Sequence, residues 1–210
     1  MRFLVTAGPT REWIDPVRYI SNASSGRMGY EVARQALRRN HTVVLISGPT
    51  NLRPPRGVQT VSVETALQMH SAVLRHLPDV DALVMTAAVA DFRPARRSSR
   101  KIRRKSSLTL RLLPNPDILA DAAKIKRPHQ VFVGFALEDS INATENALRK
   151  LKAKRLDLVV LNTEQTIGAE RSAFVLITKE GGIQRLECTK RALAARIVRF
   201  VEETIGRDTT

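Results

Sequence analysis

The sequence predicts an α/β protein with a Rossmann-like, doubly wound and mostly parallel sheet, a long flap, and a C-terminal hairpin plus helix. Three observations predict it. Strand-like and helix-like runs alternate from the first residues. The early strand runs are continuously apolar, as strands buried on both faces are, and the first helical run keeps its apolar residues on one side. The chain has 210 residues, 43% of them apolar, enough for one domain with a substantial core, and the single-domain reading covers 1–210.

The first strand is expected at Arg2 to Ala7, ending in the turn residues Gly8-Pro9-Thr10. A helix follows near Ser25 to Arg39, with Met28, Val32, Ala33, Ala36 and Leu37 on one face to cover the sheet. Strands at Thr42 to Ser47 and Val58 to Val63, a helix at Thr65 to Leu77 and a strand at Ala82 to Thr86 continue the βα order. The rhythm then breaks from Ala87 to Ser107, and an irregular stretch of that length in a compact domain marks a functional flap, placed at about 88–107. A strand Leu108 to Leu113, a Pro114-Asn115-Pro116 break and a short helix from Asp117 come next. Strand Gln130 to Phe135, helix Ile141 to Lys154 and strand Leu158 to Leu161 restore the alternation. The tail reads as Ala173 to Thr178, a Gly181-Gly182 turn, Ile183 to Leu186 and a closing helix Thr189 to Ile205.

No apolar run approaches the ~20 residues of a membrane span, so no membrane association is expected. The sole cysteine, Cys188, cannot form an internal disulfide, and the four histidines are dispersed, which points to a reducing cytoplasmic setting without a zinc site. The net charge of +15 would ordinarily suggest nucleic acid. Its distribution suggests otherwise. Eight basic residues and no acid lie between Arg93 and Lys105, and five more between Arg149 and Arg155, so two clusters hold all but two of the excess charges. Concentrated patches suit a small anionic ligand at least as well as a long polyanion, and nine aromatic residues offer little for base stacking.

Several groups could carry chemistry. Ser24-Ser25-Gly26 opens the first helix with small residues, which lets backbone N–H groups approach a phosphate; an ordinary N-cap with a close-packed glycine is the alternative. The pattern is neither GxGxxG nor GxxxxGK[ST]. Asn22 suits a turn as well as a site, and Asp91 a turn carboxylate. Ala87-Ala88-Val89-Ala90 leaves the sheet with small residues that let a ring lie close to the backbone. Asp117 after Pro116 reads by default as a helix N-cap, Phe135 as core, and Lys101, Arg103, Arg104 and Lys105 as a solvated run.

The order of these blocks is more specific than any one of them. Thr6-Ala7-Gly8-Pro9-Thr10-Arg11-Glu12 and Ile14 through Gly29, then Ala87 to Asp91, the basic segment from Lys101, Asn115 to Leu119, Val133-Gly134-Phe135, the Lys150 and Lys154 pair, and Asp157 to Asn162, closely resemble phosphopantothenoylcysteine synthetases. These form the second half of the bacterial coenzyme A bifunctional enzyme. The resemblance runs from about residue 3 to about 200.

It implies a ligase that activates the carboxylate of 4′-phosphopantothenate as an acyl-nucleotide, releases pyrophosphate, and joins the acyl group to the amine of cysteine. The bacterial-type blocks favour CTP over ATP, with Mg²⁺ accompanying the triphosphate and its ligands unknown. Asn22 and Lys101 fall on the family's catalytic positions. Base and ribose are placed among Ala87, Asp91, Pro116, Asp117, Ile118, Leu119 and Phe135, with Lys101, Lys150 and Lys154 toward the phosphates and Gly8, Ser24, Ser25 and Gly26 as the phosphate loop. Two departures stand out: the family's Lys-x-Lys-Lys motif reads Lys101-Ile102-Arg103-Arg104, and Ile167 to Ser172 lacks the asparagine common before the last hairpin. Relatives are homodimers. Met1 directly precedes the first strand, so no upstream flavin decarboxylase domain and no flavin are expected, and a separate phosphopantothenoylcysteine decarboxylase is an implied partner. A short-chain NAD(P) oxidoreductase is the competing enzyme reading, weakened because neither Tyr19 nor Tyr30 has a lysine four residues on. A basic nucleic-acid binder is the non-enzymatic one.

Overall fold

The computed structural model describes residues 1–104, 106–137, 142–163 and 171–207. In chain order the elements are β1 (Arg2–Ala7), β2 (Arg11–Trp13), β3 (Tyr19–Ser21), α1 (Arg27–Arg38), β4 (Thr42–Ser47), β5 (Gln59–Ser62), α2 (Ala66–His76), β6 (Ala82–Met85), β7 (Phe92–Pro94), β8 (Leu112–Pro114), α3 (Ile118–Lys124), β9 (Val131–Leu137), α4 (Ala143–Ala153), β10 (Leu158–Asn162), β11 (Arg171–Thr178), β12 (Ile183–Thr189) and α5 (Lys190–Arg207). Eight strands form one sheet in the order β12-β11-β10-β9-β6-β1-β4-β5. The six from β10 to β5 run parallel, and the hairpin β11–β12 adds two antiparallel strands at one edge. The parallel strands follow the doubly wound order, which reverses between β1 and β6.

Both faces of the sheet are covered. Phe3, Val5, Val84 and Val133 point into a core closed by α1 and α5, where Val32, Ala36, Leu193, Ile197 and Val201 are fully buried. Leu4, Ile46, Leu83 and Phe132 point the other way, under Met69 and Val73 of α2, Ala122 of α3 and Leu151 of α4. The continuous apolarity of the strands thus has the cause the sequence indicated. At the amino ends of β9 and β10, buried Asp157 accepts the Phe132 N–H at 2.7 Å, Lys126 Nζ at 2.6 Å and Lys179 Nζ at 2.9 Å, tying the β11–β12 turn to the sheet. Among the described residues no helix is long and apolar enough to cross a membrane.

Most expected elements recur within two residues of their bounds, with three differences. The segment after β1 forms a short hairpin, β2–β3, in which Trp13 meets Tyr19 edge-on at 5.0 Å. The predicted strand Leu108 to Leu113 is confined to Leu112–Pro114 and pairs with β7, so Pro114 sits in a strand instead of breaking one. Three-residue strands are too short to show an alternation, which is why neither small sheet was visible in the sequence. The expected flap is accordingly not a single irregular stretch: it contains β7, and Ser98 N–H donates to Ile14 O at 2.8 Å. Lys105, Ile141 and residues 164–170 of the expected flap, helix and final loop lie outside the described residues.

Helix α1 approaches the sheet closely at Gly29. A Cβ there would lie 2.6 Å from Ala7 Cβ and from Thr86 Oγ1, and 2.7 Å from Thr6 O. Gly29→Ala should therefore lift the start of α1 and destabilise the domain by about 1–3 kcal/mol. Denaturant unfolding monitored by circular dichroism checks this; an unchanged midpoint would show that the approach is not constrained.

Candidate nucleotide and phosphate site

At the strand-order reversal the loops after β1 and β6 interlock. Pro9 and Ala88 form a parallel bridge, with Ala88 N–H donating to Gly8 O at 3.0 Å and Thr10 N–H to Ala88 O at 3.3 Å. Three threonines secure the crossing. Thr86 Oγ1 donates to Thr6 O at 2.6 Å, Thr6 Oγ1 accepts the Ala87 N–H at 3.2 Å, and buried Thr10 Oγ1 accepts the Ala90 N–H at 3.0 Å. Asn115 Nδ2 adds a hydrogen bond to Ala90 O at 2.8 Å. The backbone from Ala87 to Asp91 is thereby held across the carboxyl ends of the strands, where ligands bind in such sheets.

Two clefts meet along this backbone. The first, about 610 Å³, is lined by Asn22, Ser24, Ser25, Gly26, Ala87, Asp91, Phe135 and Lys150, with Asn162 on its far wall. The second, about 410 Å³, has Ala87, Asp91, Phe135 and Lys150 in common with it and adds Pro116, Asp117, Ile118, Leu119 and Lys154. Gly26 caps α1 with φ of 76°, a left-handed conformation that suits glycine, and the one side chain at this end, Ser25, accepts the Arg27 N–H at a long 3.5 Å. The first N–H groups of α1 and its dipole therefore favour an anion in the first cleft. Gly8, also at φ 76°, lies buried beneath Gly26 and supports the loop without lining a cleft.

Asn22 Nδ2 donates to Ala88 O at 3.2 Å and Val89 O at 3.1 Å, which fixes the amide against the interlock. Asp117 is both things the sequence left open, a cleft residue and an N-cap: its Oδ1 accepts the Ala120 N–H at 3.0 Å and its Oδ2 meets Lys154 Nζ at 2.7 Å. Burial opposes ionisation of Asp117, but the hydrogen bonds from Lys154 and Ala120 outweigh it and hold the carboxyl below the usual aspartate range. Lys150 Nζ donates to Phe135 O at 2.6 Å. Phe135 is half-buried on the cleft wall, while Ile118 and Leu119 are buried with the core. Among the described residues no group of three or more His, Cys, Asp or Glu is placed to hold a metal ion.

Lys101 is not brought to the others. It is exposed and lines neither cleft, because its neighbour Ile102 is anchored to the β2–β3 hairpin. Ile102 N–H donates to Asp15 Oδ2 at 3.1 Å, and Arg18 Nη2 to Ile102 O at 3.2 Å. Asp15, fully buried, also accepts the N–H groups of Val17 and Arg18 at 2.8 and 2.9 Å. Its desolvation raises the carboxyl pKa, and the donated hydrogen bonds together with Arg18 more than reverse this, leaving it below the usual range. Asp15 and the three threonines were not singled out in the sequence; a polar residue inside an apolar strand, as at Thr6, was the available signal.

Fold and site together define a Rossmann-like α/β domain with a double cleft beside the N-terminus of its first helix. The chain belongs to the DNA/pantothenate metabolism flavoprotein C-terminal domain family, which it matches over residues 1–205. It is 42% identical over 207 residues to a cysteine/cysteine sulfinic acid decarboxylase of an unknown prokaryotic organism, covering 95% of this chain and 57% of that protein. It is 38% identical over 209 residues to the coenzyme A biosynthesis bifunctional protein CoaBC of Vibrio cholerae, covering 96% of this chain and 52% of that protein. The chain thus spans about half the length of these relatives. The crystal structure of the C-terminal domain of a CoaBC protein superposes with a TM-score of 0.85 at 38% identity, covering 98% of this chain and 96% of that one.

Because the folded-state pKa of Asp15 is depressed, its linkage to Ile102 holds above the ordinary aspartate range and fades as pH falls through the lower folded value. Asp15→Asn should release the basic segment at neutral pH, seen as faster exchange of the Ile102 amide and faster tryptic cleavage at Arg103 and Arg104. Unchanged exchange in a folded variant would mean that Asp15 does not anchor the segment.

Proposed function

We propose that this chain is a phosphopantothenate–cysteine ligase that works through an acyl-cytidylate. The observation that carries the reading is the pair of clefts meeting along Ala87 to Asp91 at the strand-order reversal, in a chain 38% identical to coenzyme A biosynthesis proteins. One cleft suits the cytosine and ribose, between the Ala87 to Asp91 backbone, Phe135 and the Pro116 to Leu119 turn. The other suits the reacting phosphate and acyl groups, over Ser24 to Gly26 and Asn22.

In the first half-reaction a carboxylate oxygen of 4′-phosphopantothenate bonds to the α-phosphorus of CTP and pyrophosphate departs. In the second, the cysteine amine attacks the acyl carbon and CMP leaves. Asn22, its Nδ2 committed to Ala88 and Val89, keeps its amide oxygen for the substrate and offers no competing nucleophile. Mg²⁺ bound with the triphosphate would supply charge neutralisation at the transferring phosphorus. Asp91 is the carboxylate common to both clefts. The flavin of the bifunctional relatives belongs, on this reading, to their decarboxylase half. A separate phosphopantothenoylcysteine decarboxylase would then consume the product.

The reading includes a homodimer and a catalytic Lys101. Val17 at 58% exposure, Tyr19 at 41%, Phe92 at 54% and Leu112 at 40% lie on the β2–β3 and β7–β8 arms, apolar surface that a second copy would cover. Lys101 lies on the segment held by the same arms, so a symmetric pairing there would carry it toward a neighbouring cleft. There it would serve as a point charge on phosphates changing partners.

Incubation with 4′-phosphopantothenate, cysteine, Mg²⁺ and one nucleotide at a time should give pyrophosphate release with CTP and much less with ATP; equal turnover with ATP would overturn the cytidylate assignment. Lys101→Gln should lower turnover roughly 10²–10³-fold at saturating CTP, the loss expected for a positioned charge at a transition state. Arg100→Gln should lower it modestly, with less effect at high salt. Equal losses in the two, both recovered by more CTP, would reduce the segment to an electrostatic funnel. Asn22→Asp should stall turnover, since a carboxylate oxygen would face two carbonyls and the substrate phosphates. Full activity in that variant would remove Asn22 from the site.

A further inference from the structure

Helix α3 forms one wall of the second cleft through its cap Asp117 and its first residues Ile118 and Leu119. It has seven residues, too few to keep their shape and place without outside support. The chain on either side of it is held, by Asn115 Nδ2 on Ala90 O at 2.8 Å before it and by Lys126 Nζ on Asp157 Oδ2 at 2.6 Å after it. What these anchors leave open is the roll of α3 about its own axis, which would swing Ile118 and Leu119 into or out of the cleft. Packing limits that roll only weakly. The buried face is Ile118, Leu119, Ala122 and Ala123, and Leu119 rests over Gly134 of β9, where the strand offers no side chain to interlock with. The roll is set instead by side chains reaching in from neighbouring helices. Lys154, after α4, meets Asp117 Oδ2 at 2.7 Å, and from α2 His70 Nε2–H donates to Asp121 Oδ2 at 2.9 Å.

The second of these ties acts inside the helix and reaches the cleft through one further bond. Asp121 N–H donates to Asp117 O at 3.0 Å, so the residue that His70 holds is joined directly to the cap facing the cleft. His70 is itself well placed to hold something. It follows Met69, which is fully buried in the core, and α2 begins from a Thr65–Gln68 capping box with Glu12 Oε1 accepting the Ala66 N–H at 2.8 Å. Hydrogen bonds from Lys124 and then from His70 keep the Asp121 carboxyl below the usual aspartate range, so it remains a charged acceptor. Lys124, at 2.6 Å, belongs to α3 and is largely exposed; it turns with the helix and cannot fix it. We propose that His70 is a positioning residue for the nucleotide: acting through Asp121, it sets the roll of α3 and with it the wall that Ile118 and Leu119 present to base and ribose. This rests on the second cleft being the nucleotide's, as the ligase reading has it. With the tie removed α3 samples turned positions, and affinity falls by the fraction of molecules whose wall is in place. Reaction at the first cleft proceeds as before once nucleotide is bound.

The test is titration calorimetry with CTP on the full chain, beside turnover at varied CTP, with thermal unfolding to confirm that each variant is folded. His70→Leu, which keeps bulk and loses the donor, should weaken CTP binding roughly three- to tenfold and raise its KM by the same factor, with kcat retained at saturating CTP. His70→Gln restores a donor and should recover most of the affinity, and Lys124→Gln should bind CTP as the wild type does. Unchanged affinity in folded His70→Leu overturns the proposal, as does a fall in kcat with KM unaltered. An equal loss in Lys124→Gln overturns it too, since bare charge beside Asp121 would then be the cause. If His70→Leu does not fold, Asp121→Ala removes the same tie from its other side and is read by the same criteria. CTP binding that depends on His70, in a chain that releases no pyrophosphate, would sink the ligase reading and leave the positioning role standing. A wild-type chain that binds no CTP overturns the positioning role even if it releases pyrophosphate from another nucleotide.

Discussion

The site depends on one crossing of backbone, the bridge between Pro9 and Ala88 that locks the loop after β1 to the loop after β6. Parallel strands diverge where the strand order reverses, and the gap is usable only if the chain leaving each strand is held open in a fixed shape. Thr6, Thr10 and Thr86 do this from below, through hydroxyls that satisfy backbone groups the sheet can no longer pair. Asn22 and Asn115 do it from the sides, each donating to carbonyls between Ala88 and Ala90. Residues placed on this backbone inherit its rigidity, which is what a site that must align reacting atoms requires.

What the sequence revealed follows from the range of the interactions involved. The strands β1 and β4 and the helix over Asp117 were legible because burial on two faces and an N-cap act within a few neighbouring residues. The hairpins β2–β3 and β7–β8 were not, since their pairing is settled by contact between the two arms and with Asp15. The same distinction divides the site. Ser24 to Gly26 and Ala87 to Asp91 announce themselves by small residues at strand and helix ends, and they do meet in one cleft. Lys101 carries the same charge whether it lies over a cleft or beside a hairpin, and only the anchoring of Ile102 shows that it is beside the hairpin.

Charge gives a second instance. Runs such as Arg93 to Lys105 are conspicuous in one dimension, yet the described part of that run lies against the hairpin arms, with Arg97 over the Trp13 ring at 5.3 Å. Arg27, Arg53 and Lys190 are unremarkable in sequence and become neighbours around a cavity because α1, the β4 exit and α5 share one side of the sheet. Positive density along the sequence and positive charge gathered by the fold are therefore separate properties of this chain.

The packing of α5 over α1 bears on how the protein is made. The face of the sheet lined by Phe3, Val5 and Val84 is closed on one flank by a helix that ends at Arg38, and on the other by one that is complete only at Arg207. During synthesis, roughly ten to thirty seconds separate the two at ordinary elongation rates. Throughout that interval Leu193, Ile197 and Val201 have yet to arrive, and an apolar sheet face stands open to water and to other nascent chains. The helix made last within this domain thus completes one of its two cores, and that face of the sheet stays uncovered until it arrives.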